Sequence, residues 1–137
     1  MGAGPVAAVR RALDLAGLQL QDIDVFEISE TYAVQVITGT EPKSPVLMDY
    51  SCRCRPVTGA LRPSLQVQVC INELGLDVAN VNPNGGSIAL GNPMGAIGGR
   101  LTIALLRELK RRGSTYGAVT IGSATGISAA AVFEQEA

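Results

Sequence analysis

The segment from Asn84 to Gly99, NGGSIALGNPMGAIGG, constrains the fold of this chain most strongly, because glycines interrupt it at short intervals. Backbone at glycine can approach a ligand closely, and the N–H groups at the start of a following helix can bind an anion or an oxyanion. The segment lacks both the GK[ST] ending of a phosphate-binding P-loop and the GxGxxG pattern of a dinucleotide site. Tight packing of a loop on a helix would require the same glycines, so both interpretations stay open.

Titratable chemistry near neutral pH is missing from this loop. The loop contains no residue that titrates in that range, and the whole chain contains no histidine. Thr120 ends a predicted strand, and its hydroxyl would need a neighbouring base to act as a nucleophile. We therefore interpret Thr120 as a hydroxyl of a turn or of the core.

Hydrophobic spacing around the loop predicts helices and strands in alternation. Pro5 suits the first turn of a helix that ends at Gly17, and Val25, Phe26 and Ile28 indicate a buried strand. The remaining predicted elements are a helix at 98–112, ended by Gly113, and two strands of a hairpin at 118–121 and 127–133. Together they predict one layered α/β domain over residues 1–137.

Residues 37–69 break this pattern with four prolines and no sustained period. We predict a second helix with Ser29 as its N-cap, continuing as SETYAVQV, and an irregular insert at 37–69. The insert ends on a second VQV, so removing it splices the first VQV directly onto CINELGL, with Gly75 as the stop. The splice suggests an insertion into an older helix, although a tripeptide can also repeat by chance.

Composition excludes several classes of function. A formal net charge of −1 means that the chain lacks the excess of basic residues typical of nucleic-acid-binding proteins. No apolar run is long enough to span a membrane. The cysteines Cys52, Cys54 and Cys70 have no metal-binding spacing and no histidine to complete a site, so we expect no metal. We expect an intracellular protein, in the cytoplasm or in the matrix of a mitochondrion or peroxisome.

Two long stretches, MGAGPVAAVRRALDLAGLQLQDIDVFEISETYA and NELGLDVANVNPNGGSIALGNPMGAIGGRLTIALLRELKRRG, closely resemble the C-terminal region of thiolases, the acyl-CoA C-acyltransferases. The resemblance covers nearly all of the chain except 37–69. It implies an α/β fold with a layered mixed sheet and helices, and acetyl-CoA or another acyl-CoA as the candidate ligand, with no other cofactor.

The resemblance also implies which residues occupy the catalytic motifs of the family. Ser29 stands where the Asn-Glu-Ala-Phe motif has the asparagine that holds an oxyanion-hole water. Asn92 stands at the histidine of the Gly-His-Pro motif, and Thr120 and Gly122 stand at the cysteine and glycine of the Cys-x-Gly motif of the acid/base cysteine. None of the cysteines of this chain matches the cysteine that is acylated in the family.

These replacements remove the groups that move protons, so we predict that this polypeptide alone is not an active thiolase. Two alternatives stay open. The chain could be an interaction module that completes an acyl-CoA pocket with a thiolase-like partner chain or with a second copy of itself. It could also be a non-functional fragment or a mis-spliced product in which 37–69 is a retained stretch.

Overall fold

The computed structural model describes residues 4–30, 65–123 and 125–136. Its helices and strands are α1 (Gly4–Ala16), β1 (Val25–Ile28), α2 (Leu65–Leu74), α3 (Ser87–Leu90), α4 (Ile97–Arg112), β2 (Tyr116–Gly122) and β3 (Ser128–Glu134). Short 3-10 turns lie at Leu20–Asp22, Val78–Asn80 and Met94–Ala96.

The described strands form a three-stranded mixed sheet in the order β1-β2-β3. β1 runs parallel to β2, with Val25 opposite Gly117 and Ile28 opposite Thr120. β2 and β3 are antiparallel and form the predicted hairpin. Because parallel strands need a long crossover, the chain between β1 and β2 has room for α2, α3 and α4.

The side chains of β1 alternate between the two faces of the sheet, and helices cover both faces, so the structure has two cores. Phe26 and Ile28 face a core built with α1 and α2, and Val25 faces a second core built with α4. The second core contains Leu101, Leu105, Leu109 and Val119. This layered arrangement confirms the α/β fold class.

The predicted first helix, first strand, last helix and hairpin are all present, with ends that differ by a few residues at most. Three glycines end helices as predicted, since Gly17, Gly75 and Gly113 each have a positive φ that suits glycine after a helix. Ser29 and Glu30 follow β1 as non-helical residues, and the helix that Ser29 would cap lies beyond them, so the N-cap role of Ser29 stays a prediction. The other residues predicted for that helix, with Cys52, Cys54 and most of the insert, lie outside the described residues.

The end of the predicted insert requires a correction, because residues 65–69 are the first half of α2. Val67, Ile71 and Leu74 are buried at i, i+4 and i+7, which is the spacing of one apolar helix face. Val67 comes from the second VQV, which we had placed in the irregular insert and which is helical in the structure.

Asn82 joins the other edge of β1 to the glycine-rich segment. The Ile28 N–H donates to Asn82 Oδ1 at 2.8 Å, and Asn82 Nδ2 donates to the Ile28 carbonyl at 3.0 Å. The Asn82 N–H donates to the Phe26 carbonyl at 2.8 Å. Asn82 has a φ of 46°, a region that asparagine tolerates better than most residues. Its side chain therefore replaces a neighbouring strand at this edge.

We expect Asn82→Ala to lower the free energy of unfolding by about 2 kcal/mol, because it leaves part-buried backbone groups of Ile28 without partners. Chemical denaturation measures the change. Asn72→Ala is the matched control, since Asn72 is exposed on α2 and its amide oxygen accepts a hydrogen bond from the Gln68 side chain at the surface. That variant should change stability by less than about 0.5 kcal/mol. Equal effects of the two variants would refute the strand-replacing role.

Candidate functional site

Two of the sequence-predicted segments meet at the carboxyl end of the parallel pair. The Ser29 N–H donates to the Thr120 carbonyl at 2.9 Å, which extends the β1–β2 ladder by one bond. The Gly122 N–H donates to Ser29 Oγ at 3.3 Å. Ser29, Thr120 and Gly122 are therefore neighbours because strands that run in parallel end at the same edge of a sheet.

Gln66, which the sequence analysis did not single out, completes this cluster. Its Nε2 donates to Ser29 Oγ at 3.1 Å, and both residues are buried. A Cβ added at Gly122 would lie 2.8 Å from Gln66 Nε2 and 2.9 Å from Pro5 Cγ. Gly122 is required here because α1 and α2 approach the strand closely, rather than for an unusual φ.

The hydroxyl of Thr120 is engaged within the sheet. Thr120 is 1% exposed, and its Oγ1 donates to the Ala129 carbonyl of β3 at 3.1 Å. This geometry agrees with the interpretation of Thr120 as a core hydroxyl. The bond directs the Thr120 proton to a backbone acceptor of the hairpin, where it stabilises the sheet.

Glu30 fixes the start of the glycine-rich segment. Its Oε2 accepts a hydrogen bond of 2.9 Å from the Ile88 N–H in the first turn of α3. A Cβ on Gly86 would lie 2.2 Å from the same oxygen, so a larger residue there would displace the Glu30 carboxylate. Arg100 Nη2 donates to Ser87 Oγ at 3.0 Å and attaches α3 to α4. Gly86 thus serves close packing, whereas a Cβ added at Gly91, Gly95 or Gly99 would have no atom within 4 Å.

Asn92 occupies a different position from the other predicted site residues. It is exposed in the turn between α3 and the 3-10 turn at Met94–Ala96, just after Gly91, whose φ is 87°. Over the described ranges, Asn92 makes no hydrogen bond to Ser29, Thr120 or Gly122. The structure therefore brings three of the four predicted residues together and leaves Asn92 at the surface.

A cavity of about 130 Å³ lies beside Glu30. Its walls are mostly apolar side chains of α2 and of the glycine-rich segment, with Glu30 and Asn82 as polar members. The apolar lining includes Val67, Ile71, Val81 and Ile88. The space suits a small apolar group beside a carboxylate.

Burial and charge shift the pKa values of three groups near these segments. Burial raises the pKa of Glu27 to about 7, although Arg100 lowers it in part. Hydrogen bonds from Arg111 hold the pKa of Glu108 at about 2. Burial raises the pKa of the Cys70 thiol to about 11, so Cys70 is protonated near neutral pH and is a poor nucleophile.

The described residues form neither a metal site nor a membrane-spanning helix. Among the residues that it describes, no three His, Cys, Asp or Glu side chains are grouped so that they could hold a metal ion. None of the described helices is both long enough and apolar enough to cross a membrane.

The family model of the thiolase C-terminal domain matches residues 1–44 and 63–135. The chain belongs to this family. Residues 45–62, which the model leaves unmatched, lie within the insert predicted from the sequence.

Similar proteins agree with this assignment to the thiolase C-terminal domain. The 3-ketoacyl-CoA thiolase of Bacillus subtilis is 44% identical over 98% of this chain and 26% of its own length. The peroxisomal 3-ketoacyl-CoA thiolase B of Mus musculus is 40% identical over 98% of this chain and 24% of its own. The chain thus spans about a quarter of the length of these curated relatives.

A solved structure is similar to this thiolase C-terminal domain as well. The crystal structure of the Bacillus anthracis acetyl-CoA acetyltransferase gives a TM-score of 0.71 at 31% identity. The match covers 97% of this chain and 26% of the other. The layered α/β fold and the family are therefore supported by both sequence and structure.

Proposed function

We propose that this thiolase C-terminal domain binds acyl-CoA weakly through its Asn92 and Gly122 loops and does not catalyse thiolysis as a separate polypeptide. The observation that carries this proposal is the bond from Thr120 Oγ1 to the Ala129 carbonyl. At this position the family resemblance implies an acid/base cysteine, and here a buried hydroxyl is engaged with the backbone.

Proton chemistry supports the same conclusion. The side chains of Ser29, Asn92 and Thr120 do not titrate near neutral pH, so none of them can exchange a proton with a substrate as a thiol or an imidazole does. Asn92 can still donate a hydrogen bond to an oxyanion, because it is exposed after a glycine with a positive φ. The loop thus retains a means of binding and has lost a means of catalysis.

Loss of a base and an acid that act together costs several orders of magnitude in rate. We therefore expect the purified chain to show no acetoacetyl-CoA thiolysis above the Asn92→Ala, Thr120→Ala double variant. The 3-ketoacyl-CoA thiolase of Bacillus subtilis serves as the positive control for the assay. A rate for the unmodified chain that clearly exceeds that of the double variant would contradict the proposal.

A second candidate function, an interaction module, is favoured by the surface around Asn92. Leu90 is 59% exposed and Met94 is 80% exposed on either side of that residue. Exposed apolar side chains close together in the sequence are typical of an interface. A thiolase-like chain or a second copy of this chain would bury them and share the Asn92 and Gly122 loops in one acyl-CoA pocket.

Sedimentation of the chain alone, and of the chain mixed with the Bacillus subtilis thiolase, tests this second candidate. An interface at this surface predicts a complex in one of the two samples. The Leu90→Ser, Met94→Ser double variant should weaken that complex at least about tenfold, which corresponds to the loss of about 1.4 kcal/mol of burial. Monomers in both samples, or a complex that is indifferent to the double variant, would exclude it.

A third candidate, a mis-spliced product, is favoured by the unmatched residues 45–62. A transcript that lacks the stretch would support it, and transcripts that uniformly retain the stretch would contradict it.

For the compartment, we infer the cytoplasm or an organelle matrix, which agrees with the word peroxisomal in the names of several relatives. A fluorescent fusion found outside the cell or in the secretory pathway would contradict this inference.

A further inference from the structure

Glu27 is a buried carboxylate that neither the fold nor the proposed site uses. It lies in the middle of β1, is fully buried, and follows the alternation of β1 toward the α4 face that Val25 shares. Neither of its carboxylate oxygens has a hydrogen-bond partner in the described parts of the chain. A buried polar group without a partner is costly, so its position calls for a functional explanation.

Arg100 on α4 has buried hydrogen-bond donors that lack acceptors within the described ranges. Its Nε and Nη1 are buried and have no hydrogen-bond partner among the described residues, while its Nη2 donates to Ser87 Oγ at 3.0 Å. The positive charge of Arg100 acts on Glu27 and favours its ionised form. Glu27 thus lacks donors, and the neighbouring Arg100 has donors that are not in use.

The other charged groups that act on Glu27 are Glu108 of α4 and Glu30 after β1. Glu108 accepts hydrogen bonds from Asn84, Arg111 and Arg112, and its pKa of about 2 keeps it ionised above mildly acidic pH. Glu30 accepts from the Ile88 N–H. Both carboxyls already have partners, so Arg100 is the group whose contacts can change when Glu27 ionises.

We propose that Glu27 and Arg100 form a buried switch: when Glu27 loses its proton to solvent, its carboxylate takes Arg100 as a partner and shifts Ser87 and the loop that follows it. The switch goes beyond the proposed function, because it operates whether or not acyl-CoA binds. At low pH, Glu27 is neutral and Arg100 bonds Ser87. At higher pH, the carboxylate accepts from a free N–H of Arg100, and the contact with Ser87 changes.

The consequence for the loop follows from the chain order. Ser87 is the first residue of α3, which ends at Leu90, and Gly91 and Asn92 come directly after it. A displaced Arg100 therefore acts on the segment that presents Asn92. Because burial raises the pKa of Glu27 to about 7, this change falls within the physiological pH range.

Amide NMR of the full chain, recorded from about pH 5 to about pH 9, tests the switch. The backbone amides of residues 87–91 and the Arg100 Nε–H should shift together, with one midpoint between about pH 6 and pH 8. Glu27→Gln should abolish this transition. Glu134→Gln is the matched control and should leave it unchanged, because Glu134 is an exposed carboxylate of β3.

A second variant keeps the proposal testable if Glu27→Gln fails to fold. In Ser87→Ala, Glu27 and Arg100 remain, so the NMR signal of the Arg100 Nε–H should still shift as Glu27 ionises, while the α3 amides lose most of their shift. Absence of the transition in the unmodified chain would overturn the proposal. A transition that persists in Glu27→Gln, or α3 shifts that survive intact in Ser87→Ala, would overturn it as well.

Discussion

Leu105→Ala is expected to lower the free energy of unfolding by about 3 to 4 kcal/mol. Leu105 is fully buried in the core between α4 and the sheet. A Cβ added at Gly117 of β2 would lie 2.6 Å from its Cδ1, so the leucine side chain packs directly on the strand. Removing it loses the burial of the side chain and leaves a cavity that a helix packed on a sheet can close only in part.

Urea denaturation of the two proteins measures this difference. Leu15→Ala is the matched control, because Leu15 lies on α1 and is 79% exposed. We expect that variant to change stability by less than about 0.5 kcal/mol. Similar losses for both variants would mean that α4 does not pack on the sheet as described.

Glu27→Gln is expected to change the pH dependence of stability by about 3 kcal/mol. The pKa of Glu27 rises from an ordinary value of 4.5 to about 7 on folding, so the folded state keeps a proton that the unfolded chain loses. Stability therefore falls as pH rises from about 4.5 to about 7 and then levels off. A rise of this size in pKa corresponds to about 3 kcal/mol.

Glutamine cannot ionise, so this part of the pH dependence disappears in the variant. The stability of Glu27→Gln relative to the unmodified chain should rise by about 3 kcal/mol between about pH 4.5 and pH 8. Glu108 contributes in the opposite direction and at lower pH, because its pKa of about 2 favours folding above 4.5. A relative stability that stays constant between these pH values would contradict a buried, unpartnered Glu27.

Local sequence patterns predicted most of the described elements. The hydrophobic spacing and terminal glycines of α1 and α4 depend on neighbouring residues alone, and their positions were close to those observed. The start of α2 was missed because Leu65 directly follows a proline-rich stretch. Only about one helical turn then precedes CINELGL, the part of α2 that the sequence analysis used. Only packing against α1 and the sheet shows that the second VQV is helical.

The contacts of the site could not be predicted in the same way. Gln66 reaches Ser29 across 37 residues, and Asn82 pairs with Ile28 across 54 residues. Gln66 and Asn82 carry no local signal, because many polar residues of helices and turns have the same sequence surroundings. Family resemblance identified the positions of Ser29, Thr120 and Gly122, while the structure was needed to find that the Thr120 hydroxyl bonds Ala129.

The family of this chain is the thiolase C-terminal domain, and our central proposal is that its loops bind acyl-CoA without catalysing thiolysis. A two-dimensional amide NMR spectrum, recorded with and without millimolar acetyl-CoA, tests it most directly. We predict well-dispersed peaks and ligand-dependent shifts confined to the loops around Asn92 and Gly122. Collapsed peaks, or dispersed peaks that do not respond to acetyl-CoA, would contradict the claim.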